Sequence, residues 1–247
     1  MLLAATAVQA QIVIGGSVYG GACQANVEGS TFVHVGADHH DVLINAVYGG
    51  NDISGKVGTG SEVPAGFQEK AAENGVDETY NTFVRICPEK ETTTGTGDEA
   101  ITTQDHHIFI GQLFGGSNGD YDYTSDEYKD KTVPEIDKAY LQIEGGTIAY
   151  VYGGGNNATV THATDIYINN KSDITTSSDI KGTDGTTLLT AERLANMGIA
   201  VLGDVIDRKD YHFSRVFGGN NKADMDIQPK WHLQEGKIDN LYSGGNE

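Results

Sequence analysis

Paired carboxylates a few residues apart, Glu135 with Asp137 and the group Asp204, Asp207 and Asp210, are the residue types that act as general acid and base in polysaccharide cleavage. In a chain with 35 acidic residues such spacing carries little information. The arginines Arg85, Arg193, Arg208 and Arg215 form no cluster that would hold a uronate. Histidine doublets occur at His39-His40 and His106-His107. Adjacent side chains on a strand point to opposite faces, so neither doublet chelates a metal with both rings, and exposed loop histidines are expected. The glycine-rich nucleotide motifs and His-Glu-x-x-His do not occur. The sequence therefore assigns no catalytic, cofactor-binding or metal-ligating residue.

Calcium is the one ion whose preferred ligands are clustered. Asp120, Asp122 and Asp126 follow the glycines of Gly115-Gly116-Ser117-Asn118-Gly119, and calcium takes flexible carboxylate and carbonyl oxygens. The repeating nonapeptide of calcium-bound β-rolls needs an apolar residue at its eighth position, where this stretch has Asp122, so a roll of that type is not expected. Incidental calcium binding at these aspartates stays open. Cys23 and Cys87 lack Cys-x-x-Cys or histidine-rich company, which argues against zinc and for buried free thiols inside strands.

Composition limits the partners. Sixteen basic against 35 acidic residues give a net charge of −19, which repels nucleic acid and anionic headgroups. No run of about 18 apolar residues is present, so no membrane span is expected. The opening MLLAATAVQA ends in small residues and reads as a secretory signal remnant over residues 1–10, with a first strand or cap as the alternative.

The elements that position these residues are set by a repeat. An aliphatic residue, an aromatic and two glycines recur at Val18-Tyr19-Gly20-Gly21, Val47-Tyr48-Gly49-Gly50, Leu113-Phe114-Gly115-Gly116, Val151-Tyr152-Gly153-Gly154 and Val216-Phe217-Gly218-Gly219, with the variant Leu241-Tyr242-Ser243-Gly244-Gly245. Superposing Tyr19, Tyr152 and Phe217 without gaps aligns Ala25, Ala158 and Ala223, then Val27, Val160 and Met225. It also aligns the pairs Val33/Val35, Ile166/Ile168 and Trp231/Leu233. The compact coil from Phe217 to Tyr242 is 25 residues, read as three short strands and three turns. Alternating apolar residues bury as continuous ladders once coils stack. Paired glycines supply positive φ and close approach at the corner, the aromatics stack, and Asn156, Asn157, Asn220, Asn221 and Asn246 suit left-handed turns or an amide ladder.

Residues 11–247 are thus expected to form a single all-β, right-handed parallel β-helix (β-solenoid) with about 25-residue coils, part of a longer repeat array. Insertions are expected at about 58–80 and 171–210, and the two long intervals, Tyr48 to Phe114 and Tyr152 to Phe217, could each hide a degenerate coil. Short helices are predicted at Pro64 to Asn74, stopped by Gly75, and at Ala191 to Met197, capped by Thr190 and stopped by Gly198. Thr92 to Thr96 and Ser172 to Thr187 read as exposed polar loops.

The segment from Glu144 to Asn156, with its Val151-Tyr152-Gly153-Gly154-Gly155-Asn156 run, resembles the glycine-rich repeats of large secreted or surface β-helix proteins of Bacteroidota-type bacteria. That resemblance, carried by six corners over about half of the chain, implies an adhesin-like protein. The repeat, the signal remnant and the absence of catalytic signatures point to a non-catalytic extracellular or cell-surface solenoid, a spacer, adhesin or glycan-contacting rod, with neighbouring repeats and a host or glycan surface as partners and no cofactor. A carbohydrate-active β-helix enzyme, a lyase or glycoside hydrolase, is the second reading, since such enzymes carry their carboxylates on an exposed sheet face.

Overall fold

The aliphatic–aromatic pairs end parallel strands. In the computed structural model the described residues are 11–37, 41–89, 91–94, 101–104, 106–172, 191–196 and 211–247. The proposed signal remnant, the His39-His40 doublet and most of the second insertion lie outside them. Strands β1 (Gln11–Tyr19), β2 (Thr31–Val35) and β3 (Asp41–Tyr48) are followed by helix α1 (Gln68–Glu73), β4 (Thr82–Ile86), β5 (Glu91–Thr94), β6 (Ile101–Gln104) and β7 (Ile108–Phe114). Then come β8 (Ile136–Ile143), β9 (Thr147–Tyr152), β10 (Val160–Asn169), α2 (Ala191–Asn196), β11 (Phe213–Phe217), β12 (Lys230–Glu235) and β13 (Ile238–Tyr242).

The chain winds alternately through two sheets. One has the order β1-β3-β7-β9-β11-β13 and the other β12-β10-β8-β4-β2, and every pair in both is parallel. This is a parallel β-solenoid. Inward residues of both sheets, among them Ile44, Ile110, Ile148, Val84, Leu141 and Ile166, form one continuous core. Alternation with outward polar residues, as in the buried–exposed pattern of β2, places them there.

Four expectations need correction. Each coil has two strands and not three: the third wall is reduced to isolated parallel bridges, Val27 to Val57 and Lys56 to Glu135, over a small cluster of Val57, Ile136, Ala139 and Val160. Neither long interval hides a coil, because Tyr48 pairs directly with Phe114 and Tyr152 with Phe217. Thr92 lies in an antiparallel hairpin of β5 and β6, not in an irregular loop. The helix predicted from Pro64 begins only at Gln68, after a turn, and ends beside Gly75 at φ +72. The second predicted helix is found over Ala191–Asn196; its proposed cap and stop lie outside the described residues.

The corner glycines act by close approach alone. Positive φ occurs elsewhere, notably at Gly146 and Gly236 in the tight turns that return the chain between sheets, and among the described residues no non-glycine adopts it. A Cβ on Gly49 would lie 2.2 Å from the Gly115 carbonyl oxygen, one on Gly115 2.3 Å from that of Gly153, and one on Gly153 2.3 Å from that of Gly218. Backbone bonds continue through the corner: Gly49 N–H donates to Phe114 O at 3.0 Å and Gly115 N–H to Tyr152 O at 3.0 Å.

Gly115→Ala drives its methyl into backbone that is itself held in the ladder, and overpacking of this kind costs about 1–3 kcal/mol or more. Gly29→Ala, where nothing lies within 4 Å, is expected to change stability by less than about 0.5 kcal/mol. Urea unfolding of the two variants checks the difference.

Candidate functional site

The conserved register builds two polar or aromatic columns at the corner. Six rings, Tyr19, Tyr48, Phe114, Tyr152, Phe217 and Tyr242, stack in sequence at centroid distances of 5.0, 4.5, 4.7, 5.0 and 4.8 Å, with interplanar angles from 3° to 11°. Four residues beyond each ring from Tyr48 onward runs a second column. Asn246 Nδ2 donates to Asn221 Oδ1 at 2.9 Å, Asn221 to Asn156 at 2.8 Å and Asn156 to Asn118 at 2.9 Å. Asn118 Nδ2 donates to Asp52 Oδ1 at 2.8 Å. The amide ladder therefore forms, with Asn118 as a member that the sequence reading missed because its coil has Ser117 where other coils have Gly or Asn. Asn220 stands outside it and instead accepts from the Gly155 N–H at 2.9 Å.

The outer face of the five-stranded sheet is where carbohydrate chemistry would sit. Its rows run Phe32, Phe83, Tyr140, Asp165, Lys230 and His34, Arg85, Gln142, Tyr167, His232. The first insertion covers the middle: Phe67, Ala71, Val76 and Tyr80 pack with Phe83, Tyr140 and Tyr167 into a separate buried cluster. Beside it, Arg85 pairs with Glu144 at 2.5 Å, and burial together with the Arg85 charge holds the His34 imidazole below its ordinary pKa.

At the edge of this face sits Asp165, fully buried. The Tyr80 hydroxyl donates to its Oδ2, while Oδ1 faces His232 Nε2 at 3.6 Å and Lys230 Nζ at 3.8 Å. Burial and the Asp165 bond push the Tyr80 phenol far above its usual range. An acceptor carboxylate beside a half-exposed imidazole is the arrangement here that comes nearest to acid–base chemistry. Asp165 was not among the sequence candidates, and only the strand register reveals its neighbours.

The sequence candidates themselves are dispersed. Glu135 joins Lys56 through a backbone bridge, and Asp137 accepts from the Thr161 hydroxyl at 2.7 Å. Asp204, Asp207, Asp210 and Arg208 lie outside the described residues, as does the side chain of Arg193. The guanidinium of Arg215 lies 5.8 Å from the centre of the Tyr150 ring.

The three aspartates proposed for calcium do not converge: Asp120 bonds Lys222 at 2.6 Å, Asp122 accepts from Thr124 N–H and Oγ1, and Asp126 pairs with Lys129. Gly115-Gly116-Ser117-Asn118-Gly119 also spells the Gly-x-Ser-x-Gly of hydrolase nucleophile elbows, a match the sequence reading passed over. Ser117 is buried, follows a strand without a helix behind it, and its Oγ accepts from the Asn51 N–H at 3.0 Å, so it is a corner residue.

His107 N–H donates to Asp41 Oδ1, and its ring lies 3.8 Å from Glu89, so this half of its doublet is held in a structural pocket and is not an exposed loop residue. Cys23 is exposed at the first corner and Cys87 half-buried just beyond β4, neither in a disulfide; neither is a buried strand residue as expected. No helix among the described residues is long and apolar enough to cross a membrane.

Comparison with known proteins adds no family: no family model, no curated protein and no solved structure matches the chain.

Asn156→Ala strips both Asn118 Oδ1 and Asn221 Nδ2 of their partners in a buried column, a loss of about 2–4 kcal/mol, whereas Asn246→Ala at the open end costs under about 1 kcal/mol. Urea midpoints measure both. The tyrosines give a pH prediction. Burial pushes Tyr152 up to about 12 and Tyr48 further still, against an unfolded value of 10.0. The unfolded chain therefore loses phenolic protons first, so stability holds below pH 10 and falls as pH rises from there through about 12. Ultraviolet phenolate absorbance alongside circular dichroism checks that the stacked tyrosines ionise only as the fold is lost.

Proposed function

We propose that the chain is a non-catalytic extracellular or cell-surface repeat protein, acting as a rod-like spacer, adhesin or glycan-contacting surface. The observation that carries this reading is the filled outer face. The position where a β-helix enzyme needs an open groove holds Phe67, Val76 and Tyr80 over Phe83, Tyr140 and Tyr167. The polar columns at the corners are likewise committed to internal bonds. Among the described residues, the loop that follows β7 offers a surface for contact. There Tyr121 and Tyr128 sit with ring centres 5.0 Å apart, flanked by Asp122, Asp126 and Glu127. Aromatic rings with polar rims suit the apolar faces and hydroxyls of sugars.

The test is a glycan and matrix-protein array probed with the purified chain. Retention on a defined ligand is expected, weakened about tenfold by Tyr128→Ala, a change of about 1.4 kcal/mol. Uniform silence would leave the spacer role only.

The second reading, a carbohydrate-active enzyme, draws on the Asp165–His232 pair. Incubation with neutral and acidic polysaccharides is expected to release no product. Turnover that His232→Ala abolishes would reverse the choice between the two readings.

A further inference from the structure

Among the described residues, one lysine–carboxylate pair differs in kind from the others. Glu69, Glu73, Asp126, Asp120 and Glu235 meet their lysines with side chains at least 38% exposed, as ordinary surface ion pairs do. Asp165 is 0% exposed. Its lysine is Lys230 on the neighbouring coil, the residue directly opposite it in the register of β10 and β12.

The two oxygens of Asp165 are held differently. Oδ2 accepts from the Tyr80 hydroxyl. Oδ1 is buried and accepts no hydrogen bond; Lys230 Nζ stands 3.8 Å from it, and His232 Nε2, itself buried without a hydrogen-bond partner, 3.6 Å. An ionised carboxylate shut away from water with one oxygen unsatisfied is costly. Conversion to an amide removes the charge and the orphan oxygen together.

We propose that Lys230 and Asp165 condense into an isopeptide bond that ties β12 covalently to β10. The Tyr80 hydroxyl polarises the carboxyl group through Oδ2, which becomes the amide oxygen. Lys230 Nζ, carried on a flexible four-carbon stem, closes on Cγ. The Nζ–Cγ bond forms and the Cγ–Oδ1 bond breaks. The two protons that the ammonium sheds are relayed by His232 Nε2 to Oδ1, which leaves as water. One carboxylate and one ammonium become one neutral amide and one water, so the step needs no oxidant and no co-reactant. Groups held side by side in a dry site supply the proximity that an activating reagent would otherwise provide. Tyr80 belongs to the first insertion, Asp165 to β10, and Lys230 and His232 to β12, so the bond forms only after these parts of the solenoid have come together.

The experiment is a peptide map of the purified full chain, shown by circular dichroism to be folded. Trypsin does not cleave after a lysine in amide linkage. Residues 139–171 and 223–237 are therefore expected as one branched peptide, lighter by one water than its two parts. Lys230→Arg keeps the positive charge without the amine and is expected to release residues 139–171 unlinked. Tyr80→Phe and His232→Gln leave both reacting groups in place and are expected to slow accumulation of the branched peptide about a hundredfold. Recovery of residues 139–171 and 223–230 only as separate peptides from the folded, unaltered chain overturns the proposal. So does a lost water that persists in Lys230→Arg, which marks cyclisation of an aspartate on its own backbone. The map reads a bond within one chain and is independent of any glycan binding.

Discussion

The spacing between hydrogen-bonded strands, about 4.8 Å, is the constraint on which the rest of this molecule depends. Every side chain in the corner columns must be tolerable when repeated at that distance. Flat rings satisfy it, and the observed centroid separations of 4.5 to 5.0 Å are the strand spacing itself. Primary amides satisfy it because each carries a donor and an acceptor at that reach. A Cβ at the first corner glycine does not, because the next coil's carbonyl oxygen already occupies that point. The Val-Tyr-Gly-Gly signature is thus a list of residues compatible with their own translated copies.

The same constraint gives the rod a direction. Amide donors in the asparagine column all point toward the first coil and end on Asp52, which ionised is an acceptor only. Asp52 also accepts from the Tyr121 hydroxyl at 2.8 Å, so the column closes in a group that needs no further acceptor. The backbone N–H groups of the paired glycines point the opposite way, while those of Asn118, Asn156, Asn221 and Asn246 run with the amides. A thread of this kind has chemically distinct ends even where its apolar core is uniform.

Legibility followed the repeat. Corners, ring stack, core ladders and most of the amide column could be read from spacing, because translation makes them recur in the chain. What did not recur was read poorly. The third wall of the coil is irregular in length and holds only bridges, so the expected third strand failed. Positive φ was expected at the paired glycines but falls at Gly146 and Gly236, since a crowded corner and a tight return turn both call for glycine for different reasons. Asp165 was illegible because its partners, Tyr80 and His232, come from an insertion and from the neighbouring coil.

Those exceptions locate individuality within the fold. Residues under the translational constraint are spent on holding coils together, and substituting any of them alters the stack before it alters a surface. The insertions escape that constraint. One of them shields the outer face of the five-stranded sheet with Phe67 and Tyr80, and the loop after β7 ties Tyr121 to Asp52 and Tyr123 to the Ile53 carbonyl. Their roots are fastened to the ladder while their outer residues are free to vary. A scaffold that tolerates little change in its coils and much in its insertions leaves the latter as the place where the proposed recognition is sought.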